Sequence, residues 1–194
     1  MPKAAFQFNP EQVAHYEVEG WKAYYDRAWL RLLGLIVALT QAQFRIPFPQ
    51  SLRAAYHIVR ASVAWVPQTH DSDKIQQHLR QFYQLARRYS GLVFEVERAA
   101  QLELRYWDDH RRLVRQPNKS DFIQTMVALH SEIFAITPKQ AQESAELRVE
   151  ANNVLDTITG KTSDDPARDW RRCEELLTAC YRSLQRAVDL KESG

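Results

Sequence analysis

The sequence is short of the residues that interrupt regular structure. Its 194 residues hold only 5 glycines and 8 prolines, which argues against a loop-rich or all-strand protein. No GxGxxG, GxxxxGKS or GxxxxGKT string occurs, which excludes the usual glycine-rich phosphate cradles. Charge of one sign is also lacking. A formal net charge of +2 falls short of the basic excess of a nucleic-acid binder. The best basic cluster is Arg105, Arg111, Arg112, Arg115 and Lys119, and Asp108 and Asp109 interrupt it.

Long hydrophobic runs are missing too. The opening MPKAAFQFNPEQ lacks the apolar core of a secretory leader. Leu32 to Phe44 carries no charge but spans 13 residues, short of the ~20 that a membrane helix needs. These absences predict a cytoplasmic protein without a membrane span. Of 2 cysteines, Cys173 and Cys180 lie seven apart on one predicted helix, roughly 10 Å at 1.5 Å rise per residue. A disulfide needs about 4.4–6.8 Å between Cα atoms, so both are expected as buried thiols.

What the chain does have is helix punctuation. Asn9-Pro10-Glu11-Gln12 and Thr137-Pro138-Lys139-Gln140 each supply a capping side chain, a proline at the first helical position and a glutamine two residues on. Asp165-Pro166 supplies another start, Asp71 or Ser72 a fourth, and Asn118 with Asp121 a fifth. Apolar residues recur at helical spacing from Ala14 through Val18, Trp21, Tyr25, Ala28, Leu32, Leu35 and Leu39 to Ala42. A second stripe runs from Leu79 through Phe82, Ala86, Tyr89, Val93, Val96, Ala100 and Trp107 to Val114.

The pattern predicts one all-α domain over residues 1–194, a bundle of five to six helices. Two are long, about 10–45 and 72–115, the latter bent near Gly91. Shorter helices are expected near 51–66, 120–135, 138–159 (closed by Gly160) and 166–190.

Within the second stripe, Glu103 and His110 are the polar exceptions, seven residues apart on either side of Trp107. A carboxylate in a core is costly unless paired or protonated. Glu103 therefore borders solvent, pairs with an arginine such as Arg31 or Arg148, or joins a site. The candidate catalytic residues are Glu103, His110 and His130. The candidate metal ligands are Glu17, Glu103, His110, His130, Glu143 and Glu150, with His15 and Glu19 a further pair. Such a bundle resembles ferritin-like proteins in architecture, and that resemblance implies Fe, Mn or Zn between helices. Their sites draw a Glu-x-x-His from each of two helices, and this chain has no Glu-x-x-His. No metal or other cofactor is expected.

Other chemistry has less support. Ser131 beside His130 makes no triad by adjacency, and no GxSxG elbow occurs. His57, within Tyr56-His57-Ile58-Val59, reads as a core or edge histidine. Aromatic residues crowd the first stripe on more than one side (Trp21, Tyr24, Tyr25, Trp29), which predicts an enclosed helix and favours a homodimer packed around it. The functional expectation is a scaffold, regulatory or partner-binding protein. The alternative is a metal-dependent or small-molecule-binding enzyme with an interhelical pocket.

Overall fold

In the computed structural model, residues 6–192 are described, with side chains through Lys191. Residues 1–5, the start of the segment read above for a leader, lie outside them. Among the described residues there are eight helices and no strand: α1 (Pro10–Tyr25), α2 (Trp29–Phe44), α3 (Gln50–Trp65), α4 (Ser72–Ser90), α5 (Val96–Leu113), α6 (Ser120–Phe134), α7 (Pro138–Thr159) and α8 (Pro166–Glu192). The helical class holds. The expected count of five to six does not, because both long helices are split.

The first break falls at Asp26–Ala28. Arg27 takes a left-handed conformation with φ 58°, its N–H donates to Tyr24 O at 3.1 Å, and that of Ala28 donates to Ala23 O at 2.8 Å. This pair of bonds is a Schellman closure, normally built on glycine. With arginine in that place and the apolar spacing unbroken across it, the sequence carries no stop signal.

The second break is the loop from Gly91 to Glu95. Gly91 adopts φ 78°, which favours glycine because no Cβ opposes it. Beyond it, Leu92 and Phe94 turn into the core while Val93, expected on the seam, is 76% exposed. Arg87 Nη1 donates to Phe94 O at 3.2 Å. Glu132 of α6 accepts from Glu95 N at 2.7 Å, satisfying a donor at the start of α5.

Elsewhere the caps follow the sequence. Asn9 accepts from Gln12 N at 2.9 Å, Asp71 from Lys74 N at 3.1 Å and Asp165 from Arg168 N at 2.9 Å. Thr137 and Gln140 form a reciprocal capping box. Asn118 differs, because it accepts from Ser120 N and leaves Lys119 in the N-cap position of α6, where its side chain makes no capping bond.

Each helix packs against the next in chain order, and α8 returns along α1, closing a ring. The core draws its large side chains mainly from α4 to α8 and from α1. The α2–α3 hairpin contributes little. From α2 only Leu32, Thr40 and Phe44 are buried, and from α3 only Ser51, Ala54, Ala55 and Ala61. No helix of the described residues is long and apolar enough to cross a membrane.

Candidate functional site

Two features stand out: a polar network inside the ring and an unusual outer face on α2–α3. Arg148 of α7 lies at the centre of the network. Its Nη1 and Nη2 meet Glu17 Oε2 and Oε1 of α1 at 2.8 and 2.5 Å. Tyr181 of α8 donates to the same Glu17 at 2.5 Å. The guanidinium also lies 5.4 Å from the Trp21 ring centre. Asn152 Nδ2 donates to the Tyr106 hydroxyl at 3.0 Å, to which Arg148 Nε also donates at 3.4 Å. Burial works against the Arg148 charge, but Glu17 and the surrounding tyrosine oxygens outweigh it and raise its pKa well above the ordinary value.

Glu103 lies deep beside this group with part of its surface still accessible. Tyr83 donates to its Oε2 and Trp107 Nε1 to its Oε1, both at 2.8 Å. Burial holds the Glu103 carboxyl above the usual carboxylate range, against the opposing effects of the Tyr83 bond, the Arg148 charge and the Trp107 bond. Neither arginine suggested by the sequence pairs with it directly: Arg148 is held by Glu17, and Arg31 by Glu19.

The remaining candidates are dispersed. His110 Nε2 lies 2.9 Å from Asp156 Oδ1, and its ring stacks on Phe122. His130 is buried, with Nδ1 2.8 Å from Ser144 Oγ. Its pKa is pushed down to about 3, by burial and then by the Arg148 charge. Glu143 accepts from Ser183 at 2.5 Å and from Arg186 at 2.8 Å. Glu150 faces Arg172 at 3.9 Å. His15 meets Glu174 at 3.0 Å, whereas Glu19 binds Lys22 at 2.7 Å. Among the described residues, no group of three or more His, Cys, Asp or Glu side chains is arranged to hold a metal ion. Cys173 and Cys180 are free and buried.

The outer face was not among the expectations from the sequence. On α3 the fully buried positions are small and Ile58 and Trp65 pack half-buried against the core, while Leu52, Tyr56 and Val63, with Phe48 and Val66 just beyond its ends, are exposed, Phe48 by 69% and Val63 by 57%. From Leu52 the apolar residues follow at steps of four, three, four and three: Tyr56, Val59, Val63, Val66. At 100° per residue these share one outward stripe. On neighbouring α2, Leu30, Gly34 and Gln41 are exposed on one face, Leu30 by 89%. A methyl group added at Gly34 would meet nothing within 4 Å, so no packing among the described residues calls for glycine there.

Charge on this hairpin is one-sided. Between Asp26 and Asp71 the chain has five arginines (Arg27, Arg31, Arg45, Arg53, Arg60) and no Asp or Glu. Arg53 and Arg60 flank the α3 stripe seven residues apart, and neither forms an ion pair among the described residues. Their charges instead help to lower the pKa values of His57 and His78, after burial in each case. The two imidazoles meet at 3.1 Å between α3 and α4. The acid-free stretch was the signal in the sequence that marks this face. The chain matches no protein-family model, no curated protein and no solved structure.

Proposed function

We propose that this is a cytoplasmic partner-binding protein of scaffold or regulatory type, acting through the outer face of α2–α3. One observation carries the reading: α3 turns alanine and serine inward and Leu52, Tyr56 and Val63 outward. A helix that only completes a bundle does the reverse. A contiguous apolar patch rimmed by charge is the usual mark of an interaction surface.

The test is site-specific photocross-linking in living cells expressing the full chain. A photoreactive phenylalanine in place of Tyr56 is expected to give a discrete adduct with another protein. The same probe at exposed Glu175 of α8 should give none, and Val63→Asp should remove the Tyr56 adduct while leaving the circular dichroism spectrum unchanged. No adduct at either position, or equal adducts at both, overturns the reading.

A second reading, small-molecule binding between α5 and α7, is favoured by one atom. Among the described residues, Asp156 Oδ2 is buried with no hydrogen-bond partner, beside His110 on Oδ1. Unmet buried acceptors are uncommon, and a donor-bearing organic cation would satisfy this one. Thermal stabilisation by small alkylammonium ions, lost in Asp156→Asn, supports this reading. Identical melting with and without them removes it.

A further inference from the structure

From the one-sided charge of α2–α3, and resting on the docking face proposed above, we infer that the occupant of this face is an acidic amphipathic helix of a partner protein. The α3 stripe repeats with the mean period of 3.5 residues that a packed helical seam requires. From Leu52 to Val66 it runs about 21 Å at 1.5 Å per residue, the length of about four turns of a docked helix. Gly34 presents no side chain on the exposed face of α2 and has open space above it. A small residue in that place lets a partner backbone approach closely.

The flanking charges select among occupants. Arg53 and Arg60 sit seven residues apart, at the spacing by which charges beside a seam choose their partner. With no carboxylate between Asp26 and Asp71, neither α2 nor α3 carries a side chain to answer them. A second copy docked through the same face by a two-fold axis would bring arginines near arginines. A lipid surface would satisfy the charge, but it makes no use of a 3.5-residue period or of a bare glycine. A helix with apolar residues at that period and Glu or Asp beside them uses all three features.

The test uses the purified full chain and two fluorescent helical peptides of about five turns. They share one leucine seam and differ in carrying glutamate or lysine at the flanking positions. Fluorescence anisotropy is expected to show the glutamate peptide binding about tenfold or more tightly than the lysine peptide at low salt, with the gap narrowing as salt rises. Val63→Asp should abolish binding of both. The double variant Arg53→Glu, Arg60→Glu should reverse the preference, and this readout survives even if a single variant perturbs the fold.

Equal binding of both peptides, no binding, or an unchanged preference in the charge-reversed variant overturns the inference. Sedimentation with phosphatidylserine-containing vesicles that the glutamate peptide does not compete away assigns the face to a membrane and also overturns it. Concentration-dependent dimerisation abolished by Val63→Asp assigns it to a second copy, with the same consequence. A Tyr56 adduct that persists while the peptides fail leaves the docking reading standing and removes only the acidic helix.

Discussion

Glu17 and Arg148, 131 residues apart in the chain, form a two-pronged ion pair inside the ring at 2.5 and 2.8 Å. Their side chains keep only 11% and 13% of their surface. A pair this enclosed gives little net stability relative to a well-packed apolar pair, but removing one partner strands the other charge in a poor solvent. Arg148→Met is therefore expected to cost about 3–5 kcal/mol in urea-induced unfolding. The double variant Glu17→Leu, Arg148→Met should recover most of it. A double variant no more stable than the single one would show that the shared hydrogen bonds to Tyr181 and Tyr106, rather than the charges, hold these helices together.

Acid should weaken the fold through His130. Its folded pKa of about 3 lies below the unfolded value of ~6.5. The stabilisation from keeping it neutral is thus complete above pH ~6.5 and is lost as pH falls towards 3. The slope is up to about 1.4 kcal/mol per pH unit. His57 and His78, also lowered, act in the same direction over part of this window. Glu11, Glu19 and Glu143, lowered from 4.5, add their loss only below about that value. Urea titrations between pH 7 and pH 5 should therefore show a reduced slope in His130→Asn. An unchanged slope would mean that His130 takes up its proton in the folded protein over the same pH range as in the unfolded chain.

Three turns make a test of backbone strain. Arg27 and Ala135 are left-handed at φ 58° and 50°, which costs a residue bearing a Cβ about 1–2 kcal/mol. Glycine relieves that cost but loses about 0.5–1 kcal/mol of unfolded-state entropy. Arg27→Gly and Ala135→Gly should each raise stability by a few tenths to about 1 kcal/mol. Gly91→Ala at φ 78° should lower it by about 1 kcal/mol. Melting temperatures read both signs, at about 2–4 °C per kcal/mol for a chain of this size.

The two thiols should be silent. Burial pushes Cys173 and Cys180 each up to about 12, and the thiolate is the species that attacks disulfide reagents. Native protein at pH 8 is expected to react with Ellman's reagent only as fast as it unfolds. Adding urea past the transition should release both equivalents together. Rapid labelling of one thiol in native buffer would show that α8 opens locally near that residue.

Helix class, most caps and the position of α6, α7 and α8 could be read from the sequence, because prolines and capping side chains mark those boundaries. The splits could not. At Arg27 the turn is made by a residue that also favours helices, and the apolar spacing stays in phase across it, so nothing local competes with a continuous helix. At Gly91 the glycine was visible, but whether it bends or ends a helix depends on Phe94 and Leu92 finding room in the core. Seam placement held Glu103 at the inner side. Its partners Tyr83 and Trp107 could not be inferred, since their meeting depends on the loop that separates α4 from α5. The outward stripe on α3 was equally hard to see, because the helix also carries Ile58 and Trp65 against the core and its fully buried positions are small.

The return of α8 along α1 imposes an order on biosynthesis. Phe8 N donates to Gln185 Oε1 at 3.1 Å across 177 residues, and Glu17 waits for both Arg148 and Tyr181. While the ribosome is still making α8, the first helix has its carboxylate and its apolar edge without their final neighbours. Early hairpins such as α1–α2 can assemble during translation, but the seal forms only after α8 emerges. Until then the nascent chain shows chaperones an unfinished surface on α1.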